Sequence, residues 1–319
     1  MRCFKVNILL IILTICITLF AGFEDRQIFE YKGTVYEYSR PRLPDPFKRI
    51  VPDYLEYAGL FTQKNSLITY SLVAVSTAVL IIYDQELIDE AKDLGRDLNI
   101  NSKDMTQSFI TIGGIPVFRG PTDLGSSLYF LGDGWLHGSI MTGFLTYGLI
   151  KDDNRALQTA SQLAEGLITT GIATQVLKHI TGRQSPYRST EEGGKWDFFP
   201  DQIDYHEHVS SYDAFPSGHL ATAMMTFTVI TENYPEYNRW VKPVGWTLMG
   251  LLSFQMMNNG VHWASDYPLA LAIGYGFGRI AADNGRRVVS DHDKTAVRFV
   301  PYYKNDAIGL GIKYNLSIK

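Results

Sequence analysis

The sequence predicts an all-α protein, a multi-helix bundle with a short C-terminal β-hairpin. Three observations carry this. Apolar residues recur at helical spacing in six long segments separated by Gly, Pro and Asn punctuation. No strands alternate with these segments, which argues against a parallel sheet. Hydrophobic residues make up 45% of the 319 and charged residues 19%, enough apolar side chain for a sizeable core. The mean hydropathy of -0.05 is below that of a chain crossing a membrane six times, which would spend over a third of its length on spans of about 20 residues each. The bundle is therefore expected to be soluble or anchored once.

Taken in order, Arg2 and Lys5 precede a charge-free run over residues 6–23 that ends in Ala21 and Gly22. Residues 1–22 read as a signal peptide, an uncleaved N-terminal anchor being the alternative, so the protein is expected to be exported to the periplasm or cell envelope. Both cysteines, Cys3 and Cys16, lie in this segment. A mature chain without thiols cannot use disulfides, thiolate catalysis or cysteine metal ligation. Residues 23–60 carry Pro41, Pro44, Pro46 and Pro52, which disfavour long helices and predict an extended arm. The helical domain spans 61–285. Its first helix begins with the charge-free residues 65–83 and continues to Arg96 with Leu87, Ile88, Ala91 and Leu94 on one face. The run is just long enough to cross a bilayer and equally suits the central helix of a bundle. Helices are predicted over 128–150, 155–180, 219–233, 240–258 and 265–283. In the tail, 286–319, residues 297–303, a turn at 304–306 and the alternating Leu310, Ile312, Tyr314 and Leu316 predict the hairpin. The net charge is -4 with Lys and Arg scattered, so no basic stripe exists to neutralise nucleic-acid phosphates.

Three blocks carry chemistry. In Pro216-Ser217-Gly218-His219, a serine hydroxyl and unobstructed backbone N–H groups at a helix start suit an anion, with a histidine beside them. Alone, this block would read as an N-cap serine, a turn glycine and a surface histidine. His262 and Asp266 stand four residues apart, so a carboxylate can fix the imidazole tautomer and make His262 a nucleophile, with His219 protonating the leaving oxygen. A metal site would need a third ligand, and no HExxH or carboxylate cluster supplies one; no metal and no cofactor is expected. Lys178 closes a helix ahead of Gly182 and Arg183. Asp133, Gly134 and His137 read as helix-entry and packing residues.

Together these blocks resemble the type 2 phosphatidic acid phosphatase superfamily, which includes bacterial acid phosphatases and vanadium haloperoxidases, over about residues 131–283. The order and spacing of Lys178, Pro186, the tetrad 216–219, His262 and Asp266 follow its pattern. The resemblance implies a helical bundle of the acid phosphatase/haloperoxidase type. It implies a phosphohistidine at His262, orientation by Asp266, general acid His219, and phosphate oxygens held by Lys178, Ser217 and Gly218. Two family arginines are absent: Ser185 and Met256 stand in their places. A guanidinium fork on phosphate is not replaceable by Ser or Met. Arg183 or Arg188 near the first vacancy, and Asn258 or Asn259 near the second, are the residues that could compensate, with Arg183 taken as the phosphate-binding substitute. The expected function is hydrolysis of a lipid phosphate or small phosphate ester, with a membrane surface as a partner. The alternatives are a catalytically impaired binding or scaffold protein and a vanadium haloperoxidase, which needs the same cationic cradle.

Overall fold

The computed structural model describes residues 25–113, 115–289, 298–304 and 307–313. The segment read as a signal peptide lies outside them. Nine helices are described: α1 (Asp45–Leu60), α2 (Lys64–Asp97), α3 (Leu124–Phe130), α4 (Gly134–Lys151), α5 (Asn154–Thr181), α6 (Gln202–Glu207), α7 (Gly218–Asn233), α8 (Asn238–Asn258) and α9 (Tyr267–Asp283). The strands are β1 (Arg26–Tyr31), β2 (Thr34–Ser39), β3 (Thr106–Ile112), β4 (Ile115–Pro121), β5 (Arg286–Val289), β6 (Arg298–Lys304) and β7 (Ala307–Lys313). The predicted all-α bundle is observed, and β6 and β7 form the predicted antiparallel C-terminal hairpin.

Helix α7 is the axis of the bundle, packed by α9, α5, α8 and α4. Its inward residues Leu220, Ala221 and Met224 meet Met249, Leu252 and Met256 of α8 and Ala270 of α9. On the opposite flank, Met225 and Val229 meet Leu163 of α5 and Ala281 of α9. Burial of such side chains contributes roughly 1.5–3 kcal/mol each.

The region expected to be an extended arm is a β-hairpin followed by a helix. β1 pairs antiparallel with β2, and β5, which follows α9, pairs with the other edge of β2, so both ends of the bundle domain share one three-stranded sheet. The prolines misled because of where they fall. Pro46 sits in the first turn of α1, where a missing N–H costs nothing, and Pro52 lies inside a helix that forms regardless. Residues 128–150 are two helices rather than one. The Gly132-Asp133 turn separates them, and Asp133 caps α4 by accepting from Trp135 N at 2.7 Å. The β3–β4 hairpin has no counterpart in the periodicity reading.

Helix α2 has 34 residues, about 51 Å at 1.5 Å each. Its apolar half is not a core element. Residues 66–97 have the length and hydropathy to cross a membrane, and none of their apolar window is buried. Leu67, Leu72, Val75, Val79 and Ile82 face outward. Only near its middle does α2 turn a charged residue inward, at Asp84.

Candidate active site

The three sequence blocks meet at one end of α7, laced together by backbone bonds. Gly182, in the left-handed conformation, ends α5 and turns the chain under the site. The next residue, Arg183, accepts from Ala214 N through its carbonyl at 3.0 Å. The Phe215-Pro216 peptide is cis, and Ser217 N donates to Asp266 O at 3.1 Å. Ser217 then caps α7, its Oγ accepting from Leu220 N at 3.3 Å. The N–H groups of Gly218 and His219 have no protein acceptor among the described residues, as expected for the first turn of a helix.

His262 is buried and held from one side. Its Nδ1 lies 2.7 Å from Ala214 O and 3.3 Å from Asp266 Oδ2. A backbone carbonyl only accepts, so Nδ1 carries the proton and Nε2 keeps its lone pair. Asp266 is itself fixed, Oδ2 accepting from Trp263 N at 2.8 Å and Oδ1 from Arg183 Nη1 at 2.6 Å. The His219 and His262 rings stand edge to face, 6.2 Å between centroids. Tyr129 packs on His219 at 4.6 Å, and Gly132 backs it so closely that a Cβ there would lie 2.5 Å from His219 Cβ. Burial first, then the nearby His262, Lys178 and His137, pushes the His219 pKa down to about 3. His137, predicted to be a packing residue, is buried on α4, and burial lowers its pKa to about 4.

Lys178 is buried in the last turn of α5 with its amino group beside the α7 N-terminus; a Cβ on Gly218 would lie 3.9 Å from Nζ. Its ion-pair partner is Asp213 Oδ2 at 3.4 Å. Lys178, Ser217, Gly218, His219, His262 and Asp266 are thus brought together.

Arg183 is not available to phosphate, contrary to the sequence expectation. It is fully buried, with both terminal nitrogens committed. Nη1 donates to Ser265 Oγ and Asp266 Oδ1, and Nη2 to Asp84 Oδ2 and Gly193 O, at 2.6–2.7 Å. Its guanidinium lies between the indoles of Trp196 and Trp263, at 4.6 and 5.2 Å from their centroids. The two carboxylates behind His262 draw it inward. Asn258 and Asn259 also turn away, toward Ile100 O and Gln255. At the two arginine positions, Met256 sets its sulfur 3.5 Å from Ser217 Oγ, and Ser185 is buried at the edge of a cavity of about 490 Å³. Tyr129, Arg188, His208 and Asp213 also line that cavity. Arg188 is exposed, 5.9 Å from the Tyr187 ring centre.

Sequence reasoning missed Ala214, whose carbonyl holds the tautomer, and Asp213, which neutralises Lys178. It also missed Asp84, although a carboxylate following 19 uncharged residues was a visible signal. Among the described residues no group of three or more His, Cys, Asp or Glu is placed to hold a metal ion.

The described residues thus form a helical bundle in which two facing histidines, one carboxylate-bound, stand above a helix N-terminus and a lysine. Residues 159–286 match the family model described as the PAP2 superfamily. Searches of curated proteins and of solved structures give no match.

Proposed function

We propose that the chain is an exported phosphomonoesterase working through a phosphohistidine at His262. One observation carries the reading: Nδ1 of His262 is occupied by two acceptors, which leaves Nε2 as a lone pair beside His219 and the α7 N-terminus. Nε2 attacks phosphorus, the N–P bond forms as the P–O ester bond breaks, and the leaving oxygen takes a proton from His219. Water then cleaves N–P, giving its proton to His219 and restoring neutral His262. Lys178, Ser217 and the N–H groups of Gly218 and His219 hold the equatorial oxygens. Burial keeps His219 neutral at pH 7 in the free protein; an arriving phosphate supplies the negative charge that raises its proton affinity.

A lipid phosphate is the favoured substrate. The unburied apolar run 66–83, roughly 27 Å long, ends at Asp84, which bonds to the loop carrying Asp266. If lipid covers that run, the site lies at headgroup depth. The test compares phosphate release from phosphatidic acid in mixed micelles with release from a soluble aryl phosphate, for the wild type and His262→Ala. Acid-labile phosphate on the protein and loss of release in the variant are expected. Release unchanged by His262→Ala overturns the mechanism.

Met256 against Ser217 favours a second reading, a member that binds phosphate esters without turning them over. Restoring both forks, Ser185→Arg with Met256→Arg, separates the two. Turnover appearing only in the double variant establishes the binding reading.

A further inference from the structure

Asp84 is the one charged residue that α2 sends to the site, and all its hydrogen-bond partners belong to the blocks around His262. Oδ1 accepts from Ser265 N at 3.0 Å. Oδ2 accepts from Ser265 Oγ at 2.6 Å and from Arg183 Nη2 at 2.6 Å. Arg183 in turn donates to Asp266, and Asp266 faces His262. The order is therefore Asp84, Arg183, Asp266, His262, and the first three side chains have no solvent exposure. Had Arg183 only Asp266 to face, the pair would be neutral, and the guanidinium would draw the carboxylate's charge away from the imidazole. With Asp84 present, one guanidinium stands between two carboxylates. A net negative charge is left behind His262, where water cannot screen it.

We propose that Asp84 is a positioning residue for the phosphoryl-transfer step: it neutralises Arg183, so that the charge of Asp266 serves the imidazole, which becomes cationic as the N–P bond forms. This rests on the proposed phosphohistidine reading. It also makes α2 part of the site. A helix whose apolar half faces outward contributes, at the end of that half, the outer member of the buried chain, so removing α2 from its seat unbalances the charge behind the nucleophile.

The competing role is a structural staple, in which Asp84 only joins α2 to the loop. Asp84→Asn keeps the shape and an oxygen for Ser265 N–H but removes the charge; Asp84→Glu restores the charge. In the full chain, three quantities are measured for each variant: the melting temperature, kcat and KM on an aryl phosphate, and the titration of the His262 ring by nitrogen NMR. The groups facing that ring are Asp266, with Arg183 and Asp84 behind it, and His219, whose own charged neighbour Lys178 is paired with Asp213. Asp84→Asn is expected to lower kcat on the order of 10 to 100-fold, the usual cost of removing an outer partner of a site residue, with KM changed less than about threefold. The His262 titration is expected to move down by about one pH unit, a tenfold change in proton affinity, and Asp84→Glu to recover both. A lower melting temperature in Asp84→Asn with kcat and the His262 titration at wild-type values overturns the proposal and leaves the staple. A wild-type protein without turnover removes the phosphohistidine reading instead. The ring titration still decides whether Asp84 supplies charge to His262.

Discussion

The molecule buries two pairs of acids and gives them opposite surroundings. At the site, Asp84 and Asp266 flank Arg183, each 2.6 Å from a guanidinium nitrogen. About 20 Å back along α5, at 1.5 Å per residue from Lys178, Glu165 and Asp53 meet around Asn284. The first pair has a full cation at hydrogen-bond distance. The second has an amide, with Arg49 Nε 3.8 Å from Asp53. A buried carboxylate stays ionised only when a charge or several donors compensate it; otherwise it keeps its proton. Burial, then the neighbouring Asp53, pushes the Glu165 pKa up to about 9. The acids near the nucleophile are thus arranged to carry charge, and those at the junction of α1, α5 and α9 to share a proton.

The largest expected effect tests the charged pair. Asp266→Asn leaves the 2.7 Å bond from His262 Nδ1 to Ala214 O, so the tautomer survives, while the charge is lost and the new amide N–H group faces a donor, Arg183 Nη1 or Trp263 N. Phosphoenzyme formation in a single turnover should fall on the order of 100 to 1,000-fold. Formation at the wild-type rate would show that the carbonyl suffices and that the arginine-centred pair is structural, like the pair at the other end.

The contrast was only half legible in the sequence. The spacing of His262 and Asp266 placed a carboxylate on the imidazole, and the tetrad 216–219 placed a histidine and a helix start together. Both required only short-range geometry, and the helices that carry them follow from apolar periodicity. Arg183 was misassigned because sequence neighbourhood pointed to the vacancy at Ser185, whereas the side chain answers to charges 83 and 99 positions away in the chain. Asp53 and Glu165 have no role in the sequence reading, since nothing local says that their faces are inward. The sheet joining β5 to β2 was hidden for the same reason: its pairing spans the whole bundle domain.

A smaller effect separates catalytic from structural titration. With the His219 pKa near 3 in the free protein, the protonated general acid becomes scarcer as pH rises, about tenfold per unit well above that value. Once the substrate's own second ionisation, at about pH 6, is divided out, kcat/KM should therefore climb as pH falls from 8 towards 4. His219→Gln should flatten the climb. A profile of unchanged slope in that variant would place the essential acid elsewhere and sever the link between the site's burial and its pH response.

The smallest effect concerns the second pair and is confined to stability. Glu165 has a folded pKa of about 9 against 4.5 for the free side chain, so the folded state binds the extra proton. The stability this contributes is complete below about pH 4.5 and is lost as pH rises toward 9, because only the unfolded chain releases the proton freely over that range. Glu165→Gln removes the ionisable group while keeping an amide that can bond to Asp53 and Asn284. Its melting temperature should match wild type within a few degrees at pH 4.5 and exceed it at pH 8.5, where roughly 1 kcal/mol corresponds to about 2–4 °C in a domain of this size. Phosphate release should not change, since the cluster touches no site residue. A variant less stable than wild type at pH 8.5 would mean that Glu165 is ionised when folded, held by Arg49 and Asn284. The two buried pairs would then work by one rule, an acid facing its cation, and not by two.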